Sequence, residues 1–340
     1  MRSHLVDKTL IIGPSWVGDM VMAQALFKAI KLRYPQTRID VLAPQWSSSL
    51  TARMPEISAS IPMALKHGEF GFSERRKLAK KLESEHYQRC FVLPNSWKSA
   101  LIPFLAKIPN RIGWRGEWRY GLLNDVRVLD KQRYPLMVER YLALANEKDA
   151  PIPSIRPSLV AEKQNTELAL SKYELTLDKP ILVLCPGAEF GPSKRWPEEH
   201  YAAFANSYIL KGWQVWIFGS AKDTEVAKKI QAQTQNQAID LTGRTSLGDA
   251  IDLMSLAKLV LTNDSGLMHI AAALDVPLVA AYGSTSPGFT PPLGDKVKIL
   301  QEKIACSPCF KRTCPLQHHQ CMQRLSVDTA LQAARALVNA

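Results

Sequence analysis

At 340 residues, 46 % apolar and 22 % charged, the chain can bury a large core, most readily as two domains, and its composition excludes a disordered protein. No uninterrupted apolar run reaches the roughly 18 residues of a membrane span, and the first ten residues lack an apolar signal region, so the chain is expected in the cytoplasm with no transmembrane segment. A net charge of +12 points to an anionic partner, but the positive side chains are scattered apart from Arg75-Arg76-Lys77 and the run Arg111 to Arg119, which disfavours nucleic acid.

Lys8 to Gly13 reads as a short buried strand, Pro14 to Asp19 as a loop, and Met20 to Arg33 as an amphipathic helix stopped by Tyr34-Pro35. Further strands are expected at Arg38 to Ala43, Ile57 to Met63 and Gln88 to Leu93, with helices at Ser73 to Glu85, Ser96 to Lys107 and Tyr134 to Ala145. Arg111 to Arg119 reads as a basic, tryptophan-rich loop after a short strand. Glu147 to Pro157 is proline-rich and aperiodic, so the domain boundary is placed there, between residues 155 and 156.

The second half, 156–325, starts the alternation again. Helix Glu162 to Glu174 and strand Ile181 to Cys185 lead into the loop Pro186 to Pro197. Helix Glu198 to Leu210, strand Trp213 to Phe218, helix Lys222 to Ala232, strand Ala238 to Leu241 and helix Leu247 to Leu256 follow. Thr262 to Pro292 is a strand–helix–strand unit: the run Lys258 to Thr262 stops at Asn263-Asp264-Ser265-Gly266, where small polar side chains are expected to cap the apolar helix Leu267 to Leu274. Leu278 to Tyr282 is then a second buried strand, left by the polar loop Gly283 to Ser286. The last element, within 326–340, is an amphipathic helix from Ser326, expected to pack back towards the first domain. The fold class is therefore α/β, two doubly wound domains facing a central cleft.

In open α/β sheets ligands bind outside the carboxyl ends of the strands, where helix N-termini attract anions. Three loops stand at such ends. Asp19 opens the first helix, where the helix dipole favours a carboxylate; it is either a cap or a general base. The loop Gly187 to Pro197 offers Gly187, Ser193, Lys194 and Arg195 to a pyrophosphate, although its lysine is not followed directly by Ser or Thr as a nucleotide triphosphatase loop requires. Asp264, Ser265 and Gly266 either hold sugar hydroxyls or begin a helix, and His269, one turn on, is a core histidine unless it reaches the same ligand. The tail has Cys306, Cys309, Cys314 and Cys321 in the pattern C-x2-C-x4-C-x6-C, with only one close pair; it completes no zinc template, and it is expected to be structural, with no metal and no disulfides.

GPSWVGDMVMAQALFKAIK, PGAEFGPSKRWP, TNDSGLMHIAAAL and the tail CSPCFKRTCPLQHHQCM, in this order, resemble the bacterial ADP-heptose:lipopolysaccharide heptosyltransferases of glycosyltransferase family 9, the tail being closer to the second heptosyltransferase than to the first. The resemblance implies a GT-B fold of two Rossmann-like domains and inverting transfer of L-glycero-D-manno-heptose from ADP-heptose to the first heptose of a lipid-anchored Kdo-lipid A core at the inner face of the inner membrane, with no cofactor. It implies Asp19 as general base, Lys194 on the donor phosphates, and Gly187, Ser193, Asp264, Ser265, Gly266 and His269 around the donor. Trp16, Arg115 and Arg119 are expected on the acceptor side. One position departs from the family: Gly219-Ser220-Ala221-Lys222 stands where the first heptosyltransferase has a ribose-binding glutamate. The chain has no Asp-x-Asp metal clamp, so transfer is expected to be metal-independent. Two enzyme alternatives are transfer to Kdo-lipid A itself and a nucleotide-sugar epimerase of the same architecture. A dinucleotide oxidoreductase is disfavoured by the missing G-x-G-x-x-G after the first strand.

Overall fold

The structure, a computed structural model, describes residues 7–63 and 70–338. It divides into two compact units, Met1–Pro157 and Ser158–Ala340. In chain order the first unit comprises β1 (Lys8–Ile12), α1 (Val17–Arg33), β2 (Arg38–Pro44), the one-turn α2 (Ser48–Thr51), β3 (Ile57–Met63), α3 (Phe72–Glu83), β4 (Arg89–Val92), α4 (Trp97–Leu105), β5 (Asn110–Trp114), β6 (Asp125–Arg127) and α5 (Met137–Ala145). The second comprises α6 (Lys163–Lys172), β7 (Ile181–Cys185), α7 (Glu198–Ile209), β8 (Gln214–Ile217), α8 (Thr224–Gln233), β9 (Ala238–Asp240), α9 (Leu247–Met254), β10 (Leu259–Asn263), α10 (Gly266–Ala273), β11 (Leu278–Tyr282), β12 (Val297–Gln301), the short α11 (Gln320–Gln323) and α12 (Val327–Val338).

Among the described residues the strands form two six-stranded parallel sheets, ordered β3-β2-β1-β4-β5-β6 and β12-β11-β10-β7-β8-β9. Counted from the first strand of each unit, both sheets have the order 3-2-1-4-5-6. In each, the order reverses between two neighbouring strands: β1 and β4 in the first unit, β7 and β10 in the second. That reversal opens a crevice at the carboxyl edge. The inner strands are apolar almost without interruption, and β7, β10 and β11 are buried at every residue, because helices cover both faces of a parallel sheet.

Several expected boundaries move. α1 begins at Val17, three residues before Met20, and is buried at every residue from Met20 to Phe27, so it is a core helix more than an amphipathic one. β5 takes up the first half of the stretch read as a basic loop. β6 and β12 are edge strands with no strong apolar alternation, which is why composition does not reveal them. α5 starts at Met137 because Pro135 precedes it and Glu139 reaches back to accept from the Leu136 N–H at 2.8 Å. The final helix buries Ala330, Leu331 and Ala334 in the core of the second unit, against α7, β11 and β12.

Candidate active site

In the second unit, β7 ends at Cys185 and β10 at Asn263, on either side of the reversal. Asn263 is fully buried. Its side chain donates to the Pro186 carbonyl at 2.7 Å and accepts from the Trp196 N–H at 3.0 Å, tying both ends of the loop Pro186 to Pro197 to the tip of β10. Trp196 is anchored in turn by its indole N–H on the Leu325 carbonyl at 2.9 Å. Sequence reasoning takes Asn263 for a helix-start residue, whereas its work is to hold this loop.

The loop so held presents Lys194 from a single 3-10 turn, Pro192–Lys194. The Lys194 ammonium donates to Asp264 Oδ2 at 2.6 Å and to the Asp264 carbonyl at 3.3 Å, and the Thr285 hydroxyl donates to the same Oδ2 at 2.6 Å. Ser193 is buried. Its hydroxyl lies 2.9 Å from that of Ser284 and donates to the Lys311 carbonyl at 2.5 Å, while its N–H donates to the Arg312 carbonyl at 3.2 Å. Residues after β7, β10 and β11 are thus brought to one place, with Thr285 an unforeseen member. Ser265 occupies the N-cap position of α10 but makes no capping bond; its hydroxyl lies 3.4 Å from that of Thr262. The expected cap is therefore absent, and no side chain caps the start of α10, an arrangement suited to an anionic ligand. His269, in the second turn, is buried. Desolvation lowers its pKa to about 4, against a smaller upward pull from the Asp264 charge, with Lys194 adding to the fall, so the imidazole is neutral at pH 7.

Gly187 faces a second carboxylate. A Cβ there would stand 2.5 Å from the side chain of Asp223. Asp223 lies one residue beyond Lys222, accepts from the Ser220 N–H at 2.9 Å and hydroxyl at 2.8 Å, and sits 3.6 Å from the Arg195 guanidinium. The stretch Gly219 to Lys222 thus holds no carboxylate, but the next residue brings one to the β7 loop. The sequence signal for it is the capping box Ser220-x-x-Asp223.

In the first unit, Asp19 is the third residue of α1, half-buried, with Trp16 exposed at the N-cap position. Asp19 is thus inside the first helical turn, not the cap. It lies close enough to the buried Tyr141 for its charge to add to the rise that burial imposes on that phenol's pKa. Arg115 is exposed, as is Trp118 three residues on, at 89 %. Arg119 is different. It is buried, and its guanidinium donates to the carbonyls of Pro94, at 2.6 Å, and Trp114. Expected as an acceptor contact, Arg119 is instead the clamp between its own loop and the turn after β4. Arg75, in the other basic run, is also buried, donating to the carbonyls of Phe70 at 2.7 Å and Lys98 at 3.1 Å.

The sequence pattern of glycosyltransferase family 9 (heptosyltransferase) matches residues 75–320. The chain is 48 % identical to lipopolysaccharide heptosyltransferase 2 of Salmonella typhimurium, over 98 % of this chain and 99 % of that one. It is likewise 48 % identical to the Escherichia coli protein of the same description, over 97 % and 98 %. Among solved structures it superposes on E. coli ADP-heptose lps heptosyltransferase II with a TM-score of 0.88 at 46 % identity, covering 98 % of each chain.

Proposed function

The chain belongs to glycosyltransferase family 9, the heptosyltransferases, and on that footing we propose that it moves L-glycero-D-manno-heptose from ADP-heptose to the first heptose of the Kdo-lipid A inner core during lipopolysaccharide biosynthesis. The observation that carries the donor half is the Lys194–Asp264–Thr285 cluster beside the uncapped start of α10, at the order reversal of the second sheet. Asp264 takes two of the three donors of the Lys194 ammonium, leaving one for a diphosphate oxygen. The free N–H groups of α10 supply further positive potential, and Gly266, with no side chain, lets an oxygen come close. Gly187, Ser193, Ser265 and neutral His269 complete the donor pocket.

Inverting transfer needs a base on the acceptor hydroxyl and stabilisation of the departing diphosphate, with no covalent enzyme intermediate. Asp19 is the base in this reading, placed at the corresponding reversal of the first sheet, with Trp16 and Arg115 on the acceptor and Arg119 holding the Arg115 loop in shape. Negative charge leaving with ADP is met by Lys194 and backbone dipoles, so no dissociable divalent cation is required. The acceptor carries carboxylates and phosphates at an anionic bilayer, which suits a cytoplasmic enzyme working peripherally at the inner face of the inner membrane. The exposed pair Trp118 and Tyr120 next to Arg115 has the aromatic and basic character of an interfacial contact.

The test is to incubate the protein with ADP-heptose and two defined acceptors, one ending at Kdo and one at the first heptose, and to weigh the products. A gain of one heptosyl unit on the second acceptor alone is expected. Gain on the Kdo-terminated acceptor would move the assignment to the first transfer. Donor turnover with no acceptor present would point to an epimerase.

A further inference from the structure

Residues 302–319 contain no helix or strand, an 18-residue irregular stretch between β12 and α11. So long a structureless segment within a compact unit is uncommon and usually has either a function or a staple. This one is in place and does work. Its Lys311 and Arg312 carbonyls accept from Ser193, the Ser307 hydroxyl donates to the Gly283 carbonyl at 2.7 Å, and the Phe310 N–H donates to the Ser284 carbonyl at 2.7 Å. It thereby fastens the loops after β7 and β11 to one another. Yet it offers the core little: of 302–319, no residue is buried.

What the segment does have is sulfur. Cys306, Cys309, Cys314 and Cys321, scattered over the pattern C-x2-C-x4-C-x6-C, all line one cavity, together with His318 and His319. Cys306, Cys309 and Cys314 are each near enough to Cys321 to interact with it electrostatically. The Gln317 N–H donates to the Cys314 carbonyl at 3.1 Å, turning the chain tightly around that residue. Four free thiols thus share one cavity with no disulfide between them.

We propose that these four cysteines are a tetrahedral thiolate site for a soft divalent cation, zinc or ferrous iron, which staples the tail and so braces the loop carrying Ser193 and Lys194. Such a set of sulfurs selects those metals over magnesium or calcium. Among the described residues no three His, Cys, Asp or Glu side chains stand as a coordination set, and the proposal requires the four sulfurs to draw in as the metal binds, the thiols passing their protons to solvent. The spacing conceals it because only one pair is close in sequence; the fold brings the other two to the same cavity. The metal touches no reacting atom, and metal-independent transfer chemistry is unaffected. The bracing role rests on the donor reading given above, whereas the metal site does not.

The experiment is elemental analysis of the full chain purified under reducing conditions without chelators, with zinc and iron read separately, followed by anaerobic titration of the metal-stripped chain with cobalt(II). About one zinc or one iron per chain, and sulfur-to-cobalt charge-transfer absorption saturating at about one equivalent, are expected. The double variant Cys309→Ser, Cys321→Ser should lose the metal and raise KM for ADP-heptose about tenfold or more. Should it fail to fold, the cobalt titration of the unaltered chain decides alone. Less than roughly a tenth of an equivalent of either metal, with no cobalt–thiolate absorption, overturns the proposal, as does finding the four cysteines as two disulfides. Metal present with unchanged donor KM in a folded variant would remove the bracing role only.

Discussion

Burial strips His269 of water more than the neighbouring Asp264 charge compensates, and the proton it would hold in the unfolded chain is refused in the native one. With a native pKa of about 4 against 6.5 unfolded, the residue costs nothing above pH 6.5. As pH falls from there towards 4, it removes stability at about 1.4 kcal/mol per unit. Urea unfolding of the protein and of His269→Gln at pH 7 and pH 5 should therefore show the difference shifting by about 2 kcal/mol in favour of the variant at the lower pH. Parallel behaviour of the two would contradict a neutral, desolvated imidazole. Lys194→Ala removes one preorganised charge contact, so it should weaken transfer by roughly 2–4 kcal/mol and loosen ADP binding as well. A loss of rate with ADP affinity intact would move Lys194 off the donor phosphates. Lys194, Asp264 and Ser193 are legible in the sequence as polar groups at strand ends. Thr285, Asp223 and the clamping role of Asn263 are not, because each acts on a loop distant in sequence.

Clamping by side chains also explains which elements resist reading. A basic, tryptophan-rich stretch looks like a ligand surface, but Arg119 within it is buried on the Pro94 and Trp114 carbonyls, and of its three arginines Arg115 is the exposed one. Arg119→Ala takes a donor from the buried Trp114 carbonyl, while the Pro94 carbonyl keeps the Ser99 hydroxyl at 3.1 Å, and should lower stability by about 1–3 kcal/mol, the cost of one unsatisfied group. Arg115→Ala should leave the melting temperature alone and raise KM for the acceptor. Thermal melts with acceptor kinetics on both variants check the division. A stable Arg119→Ala with only an acceptor defect would restore Arg119 to the acceptor side. Long apolar runs such as β7, β10 and β11 are unmistakable in sequence, whereas β6 and β12 pass unnoticed since edge strands are short and carry polar side chains. Start positions err where a Pro or a capping glutamate resets the first turn, as before α5.

At the scale of the molecule, two sheets of the same order each place one ligand-facing edge, and the proposed chemistry assigns one reactant to each. The alternation of strands and helices makes both units legible from sequence, but the common strand order and the convergence of the cysteine tail are properties of the fold alone. The proposal has Lys194 and the start of α10 meet the diphosphate charge, so rates with and without millimolar magnesium should agree; several-fold stimulation would contradict that arrangement. The division of labour itself is tested by Asp19→Asn, which keeps the size of the side chain and removes the proton acceptor. With the acceptor ending at the first heptose, its rate should fall by about 10²–10⁴-fold. ADP-heptose affinity, read by calorimetry on the same preparation, should stay unchanged, since the proposal seats the donor on the other unit. A variant that turns over within a few-fold of the unaltered enzyme, or that loses donor affinity in proportion to rate, would contradict Asp19 as the base.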